Sequence, residues 1–341
     1  MRRRTVLAAF AAALVILGSG CEGKQVPAVG PAYEIVVLAP TGKKILGEEV
    51  AKILSGDIIT VRPEKRFDIT QDKLDRFRYY TTRKILFAVS NPDDPDYAKL
   101  SKRATGIRTR TDYPGLEIEV DPFAAGQVMF RLVGDPQEIV HTLRDRGNDL
   151  IDVVEDTTVT LILTNIYRAG EKEKARPAML ARWGFGVRIP VEWVVEDRSS
   201  ETTNFVRIWH DAPVEQMFVS WEDGRVERTP EEWIQRRHEL GWVHYDRDQV
   251  VWDMTGAVLG RAPFGPEGTV IKGVWKNDKY VIGGPFESYA FYCPDDDRTY
   301  LVDLSVYAPD RDKGPLMRVL RAVSRTFQCG CVPPPTPGAA S

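Results

Sequence analysis

Histidine and cysteine are scarce here, with four of each in 341 residues, which leaves little for the commonest catalytic and metal-ligating chemistry. His141, His210, His238 and His244 form no His-Glu-x-x-His pair and show no ligand spacing with Cys329-Gly330-Cys331, so no metal site and no cofactor is expected. There is no Gly-x-Ser-x-Gly elbow, and no serine, histidine and acid fall in a familiar catalytic order. Basic charge is not in excess either. The formal net charge is −3, which removes the electrostatic case for nucleic acid, since that needs a clustered basic face. After residue 21 no apolar run approaches the roughly twenty residues needed to cross a bilayer.

What the chain does carry stands first at its start. Arg2, Arg3 and Arg4 precede an apolar run from Val6 to Leu17, then Gly18-Ser19-Gly20 and Cys21. A basic start, a short apolar run and small residues make a secretory leader and not a spanning helix. With the cysteine in that place, the segment resembles a bacterial lipoprotein signal, although Gly18 stands where a branched apolar residue is usual. The resemblance implies cleavage before Cys21, acylation of its thiol and new amine (palmitate among the chains), and a membrane anchor. It also implies, from Glu22 where Asp retains some lipoproteins in the inner membrane, export to the outer membrane. Loss of Arg2 to Arg4 with the leader makes the remainder more acidic. Residues 21–32, with Gly23, Pro27, Gly30 and Pro31, read as a flexible tether of at most ~3.5 Å per residue.

If Cys21 is acylated, three cysteines remain, and an odd number outside the cytosol means a free thiol or an intermolecular bridge. Cys329 and Cys331 are too close for an unstrained ring. A disulfide from Cys293 to Cys329 or to Cys331 is expected, stapling the last helix to a sheet.

Along the chain, Tyr33–Ala39 is a β-branched run that suits a buried strand, and Leu46, Val50, Ile53 and Leu54 recur at helical spacing. Ile58–Val61 reads as a strand, Thr70–Tyr79 as a short helix and Lys84–Val89 as a strand. Asp94-Pro95 and Asp135-Pro136 are caps with first-turn prolines. Leu116–Val120 and Gln127–Val133 are strands. Ile139 to Leu161 keep one helical face, and 157–166, rich in β-branched residues, is assigned to helix over strand. Glu171–Arg182 closes the first domain as a helix. In the second, Gly186–Pro190, Glu192–Glu196, Phe205–Trp209, Gln216–Trp221, Val270–Trp275, Tyr280–Ile282, Ser288–Cys293 and Thr299–Tyr307 read as strands. Thr229-Pro230-Glu231-Glu232 is a capping box opening a helix that stops at Gly241, and Gly314–Phe327 is the last helix. The expectation is an α+β protein of two sheet-and-helix domains, 33–182 and 183–328. The second is mostly antiparallel sheet with flanking helices, each sheet is covered on one face, and a Pro-rich tail spans 329–341.

Phe185-Gly186-Val187-Arg188-Ile189-Pro190, Asn204-Phe205-Val206, Gly273-x-Trp275, Gly283-Gly284-Pro285-Phe286-x-Ser288-Tyr289 and Val306-Tyr307-Ala308-Pro309 resemble an uncharacterised family of bacterial lipoproteins common in the Bacteroidetes. Arg83-Lys84-Ile85-Leu86 and Gly126-Gln127-Val128 fit it in the first half, so the resemblance runs from about residue 33 to 327. It implies architecture and envelope location and brings no activity. Asp310-Arg311-Asp312-Lys313 departs from the family's adjacent basic pair.

Individual motifs support little chemistry. Ala39-Pro40-Thr41-Gly42-Lys43-Lys44 lacks the first P-loop glycine, Val37 standing in its place, and reads as helix entry. His210-Asp211 and His244-Tyr245-Asp246 are candidate acid–base pairs, set against surface or strand-end histidines. Asp295-Asp296-Asp297 is a hairpin turn more simply than a calcium site. Trp275, Gly283, Gly284, Pro285, Phe286 and Tyr289 are candidates for a binding groove, set against a bulged hairpin shaping the core. The expected function is a lipid-anchored envelope component, at the outer membrane with its domains in the periplasm or at the surface, that binds an envelope protein without catalysis. The alternatives are an envelope hydrolase-like enzyme or a small-ligand carrier.

Overall fold

The computed structural model describes residues 25–58 and 60–330; Cys21, the leader, Cys331 and the rest of the tail lie outside it. The protein is α+β, and its elements build a mixed sheet and a larger antiparallel one. In chain order they begin β1 (Glu34–Ala39), α1 (Lys44–Leu54), β2 (Asp57–Ile58), β3 (Glu64–Lys65), β4 (Asp68–Lys73), β5 (Ile85–Ser90), α2 (Pro95–Arg103), β6 (Ile107–Arg110), β7 (Leu116–Val120) and β8 (Val128–Val133). Then follow α3 (Pro136–Asp145), α4 (Gly147–Ile166), α5 (Ala175–Trp183), β9 (Phe185–Gly186), β10 (Val194–Asp197), β11 (Asn204–His210), β12 (Val214–Asp223) and α6 (Pro230–His244). The last are β13 (Gln249–Arg261), β14 (Glu267–Asn277), β15 (Ile282–Cys293), β16 (Arg298–Tyr307), α7 (Gly314–Ser324) and β17 (Gln328–Cys329).

Two compact units share these elements. Among the described residues, one comprises 25–56 with Lys65–Thr158, the other those of Asp57–Glu64 with 159–330. The boundary expected at 182/183 therefore lies earlier, inside α4, and the short stretch 57–64 belongs with the second unit. A continuous helix has no composition shift to mark such a boundary.

The first unit is a six-stranded sheet ordered β4-β1-β5-β8-β7-β6. Its first four strands run parallel, β7 pairs antiparallel with β8, and β6 pairs antiparallel with β7. Strands β1 and β5 are buried nearly throughout, as parallel strands covered on both faces must be, hence their unbroken apolar sequences. Asp94 and Asp135 cap α2 and α3 as expected, each side chain accepting two backbone N–H groups. The long helix from Asp135 is two, broken at Arg146-Gly147, and 157–166 is helical. Thr70–Tyr79 is helical only in its second part, and there as a 3-10 helix. Its first part is the polar edge strand β4, and Leu74–Tyr80 is a 3-10 turn burying Leu74 and Phe77. Inside the sheet, Arg131 Nε donates to Glu119 Oε2 at 2.6 Å with both side chains wholly buried, and Tyr97 Oη accepts from Arg131 Nη1.

The second unit is built on a seven-stranded antiparallel sheet, ordered β10-β11-β12-β16-β15-β14-β13. Alternate residues of β16 serve opposite faces. Tyr300, Val302, Leu304 and Val306 join the core under α7, with Phe185, Leu320 and Phe327, and Leu301 joins the core under α6, with Phe205, Trp233 and Leu240. Helices thus cover both faces of this sheet, not one. Glu287 holds α7 down by accepting from Arg321 at 2.6 and 2.8 Å. Glu64, from the 57–64 stretch, caps α7 by accepting the backbone N–H groups of Lys313 and Gly314 at 2.6 and 3.1 Å. The capping box at Thr229 forms as expected. Gly241 does not stop α6, which runs to His244. That glycine is needed for close packing, since a Cβ there would sit 3.0 Å from the Asp248 carbonyl oxygen.

Candidate functional site

Five of the six groove candidates are buried, and Gly283 is half-buried. Trp275 pairs with Gly284, Val274 with Pro285 and Gly273 with Phe286 along β14 and β15. Trp275 and Phe286 are buried in the core beneath α6, and Tyr289 in the core on the opposite face. They cannot line one groove. A Cβ on Gly283 would stand 2.6 Å from the Trp275 carbonyl oxygen, and one on Gly284 1.8 Å from that of Val306. The glycines let neighbouring backbones close up.

Cys293 and Cys329 form a disulfide across a sequence separation of 36. It holds β17 beside β9 (Gln328 opposite Gly186, Cys329 opposite Phe185). Asp295–Asp297 is the turn joining β15 to β16, where Asp297 takes a positive φ and accepts from the Tyr292 hydroxyl at 2.9 Å.

The acid–base candidates separate on burial. The His244 ring stacks on Phe205 at 3.9 Å, and burial, helped by Arg198 and Arg236, pushes it down to about 4. It is a neutral packing residue at ordinary pH. His210 stands at the end of β11, with Glu215 Oε2 3.7 Å from Nδ1 and Glu192 Oε2 3.6 Å from Nε2. Both gaps exceed a hydrogen bond. Burial pushes Glu215 up to about 7, against the opposing pull of Arg311. Between pH 4.5 and 7 the unfolded chain then holds fewer protons at this group than the folded one. Stability is fully present below that window and falls as pH rises through it. We expect Glu215→Gln to remove this dependence and to stabilise the protein above pH 7 by up to about 3 kcal/mol, measured as denaturant midpoints at pH 5 and pH 8.

The surface offers something different. Strand β13 is an edge of the seven-stranded sheet, paired only with β14 among the described residues. Its register slips between Val251 and Gly256, a bulge that leaves Trp252, Asp253 and Met254 exposed while Thr255 turns back over Gly273. Trp252 is 49% exposed, Met254 38%, Val258 65% and Leu259 84%. The exposed Trp242 of α6 lies near Trp252, and Val243 next to it in sequence is exposed too. The His238 ring lies between the two indoles, 6.2 Å from Trp242 and 5.9 Å from Trp252, and its Nδ1 accepts the Val250 N–H. The β14–β15 turn adds exposed Tyr280 and Val281, fixed by Lys279 and the Tyr280 hydroxyl on Asp246. Long edge strands are normally blunted with charge or proline, whereas β13 carries exposed apolar side chains, Trp252 among them.

Sequence reasoning missed this strand. Its signal is two short β-prone runs, Val250-Val251-Trp252 and Ala257-Val258-Leu259, on either side of Thr255-Gly256. A glycine between such runs marks a bulge.

Residues 257–326, from the second half of β13 through α7, match the family described as Domain of unknown function (DUF4837). The matched stretch contains Gly273-x-Trp275 and Gly283 to Tyr289. No curated protein matches the chain. Among solved structures, a mutant of the protein Mog1 shares 9% identity, with 44% of this chain and 92% of that one covered and a TM-score of 0.28. The Saccharomyces cerevisiae Ran-binding protein Mog1p shares 10%, with 43% and 90% covered and again a TM-score of 0.28. Likeness at that level carries no argument.

Proposed function

We propose that this chain is a lipid-anchored envelope protein that performs no chemistry and binds another envelope protein along the β13 edge. The single observation behind the binding role is the run of exposed apolar side chains on that edge, Trp252, Met254, Val258 and Leu259, with Trp242 alongside. The partner fitting it presents an extended, apolar segment that adds a strand next to β13 and seats side chains against the tryptophans. The anchor rests on Arg2 to Arg4, the short apolar run and Cys21, and the outer membrane on Glu22. Mass spectrometry of the mature N-terminal peptide should find acyl chains on Cys21, absent from Cys21→Ser; an unmodified Cys21 overturns the anchor.

Tryptophans at an interface centre carry a disproportionate share of affinity. Trp242→Ala with Trp252→Ala is expected to weaken the partner complex by about 2–4 kcal/mol, roughly 30-fold or more, measured by titrating the purified partner. Unchanged affinity would remove this surface from the account. A second reading, an acid–base enzyme, draws on Glu215 held near neutrality beside His210. It predicts that His210→Ala and Glu215→Gln each abolish the cellular phenotype of the intact protein. The binding account predicts that neither does.

A further inference from the structure

The disulfide at the end of β15 has an unusual neighbour. Asp296, on the β15–β16 turn, places a carboxylate oxygen so that it and the sulfurs of Cys293 and Cys329 all lie within 4.8 Å of one another. One oxygen of Asp296 accepts from the Tyr300 hydroxyl. The other, Oδ1, is buried and has no hydrogen-bond partner. A buried carboxylate oxygen without a donor is costly, and a disulfide supplies it nothing, since neither sulfur bears hydrogen. Reduction changes that, because thiols donate and thiolates with a carboxylate make a cation site.

We infer that Cys293, Cys329 and Asp296 form a soft divalent metal site, of the zinc class, that opens when the disulfide is reduced. Two sulfurs and one oxygen suit zinc, which takes thiolate at about 2.3 Å and carboxylate at about 2.0–2.2 Å. Two thiolates on one tetrahedral ion stand about 3.8 Å apart from arms of that length, a separation that side-chain rotation reaches once the S–S bond is gone. The sequence of events balances. An external dithiol gives two electrons and two protons to the S–S bond and leaves as its own disulfide; the two thiols formed then each release a proton as the ion binds. A fourth position remains for water. Tyr300 orients the carboxylate from behind, the kind of outer support that metal-ligating carboxylates have. The ion would join the same two residues that the disulfide joins, so the tie between β15 and β17 survives a reducing episode.

The test uses the full chain carrying Cys21→Ser and Cys331→Ser, so that only Cys293 and Cys329 can furnish thiolates. Oxidised protein titrated with Co²⁺ should show no thiolate-to-cobalt charge-transfer absorption. After anaerobic reduction by a dithiol and its removal, one equivalent of Co²⁺ should bring up that absorption with tetrahedral ligand-field bands, and Zn²⁺ should abolish both. Asp296→Asn, which keeps an acceptor for Tyr300, should weaken binding at least tenfold. No charge-transfer absorption in the reduced protein, or equal binding by the asparagine variant, overturns the site. If reduction melts the near-ultraviolet circular dichroism, equimolar Zn²⁺ must restore it in the parent and fail to do so in Asp296→Asn; a parent signal that stays flat overturns the site equally.

Discussion

Replacing Arg237 with methionine is expected to cost the second unit about 3–5 kcal/mol, the largest effect anticipated for any single substitution here. Arg237 reaches from α6 into the face of the seven-stranded sheet. Its Nε donates to Asp303 Oδ2 at 3.1 Å, with only 2% and 0% of the two side chains exposed. Its guanidinium lies over the Phe286 ring at 4.0 Å, and Ser288 Oγ donates to the same Asp303 oxygen at 2.6 Å. Methionine fills much of the volume but leaves Asp303 a buried charge with one hydroxyl for company. Two charges taken from water together gain back in attraction much of what dehydration costs; one left alone does not. The double variant Arg237→Met with Asp303→Leu should therefore recover most of the loss. Urea unfolding followed by near-ultraviolet circular dichroism decides the matter. A single variant within about 1 kcal/mol of the parent would mean that the pair is not buried as described.

Removing the disulfide should rank next. Cys293→Ser is expected to lower stability by about 4 kcal/mol, from the closure of a loop with sequence separation 36. The bond ties β17 to the end of β15, and β17 in turn lies beside β9, where Phe185 meets Phe327 at 5.7 Å. The loss should thus spread to the aromatic core under α7 and show as slower near-ultraviolet recovery after dilution from urea. A serine variant as stable as the oxidised parent would contradict the cross-link's assigned role.

Local chemistry was easy to read in this chain, and long-range pairing was not. Asp94-Pro95, Asp135-Pro136 and Thr229-Pro230-Glu231-Glu232 mark three helix starts because a cap works through atoms a few residues apart. The apolar runs of β1 and β5 declare buried strands for the same reason. Strand β4 is different. Asp68–Lys73 carries charges and an exposed face, and it is a strand because β1 lies parallel to it, which no short window can reveal. Strand β13 hid behind its bulge. Gly283 and Gly284 were visible as unusual, yet close approach by Trp275 and Val306 backbone and close approach by a ligand leave the same mark on a sequence. The unit boundary inside α4 leaves none. Likewise Arg131 and Glu119 read as ordinary strand charges until folding buries them together.

The central claim is that the β13 edge is where this protein meets its partner. It is tested most directly by placing a photo-cross-linking amino acid at Val258 of the full-length protein in its native cells, with exposed Tyr79 as the control position. The account predicts one recurrent cross-linked protein from position 258 and none of it from 79. It also predicts loss of the product when Leu259→Asp is added to protein that keeps its near-ultraviolet circular dichroism. The same products from both positions, or an undiminished product after Leu259→Asp, would contradict it.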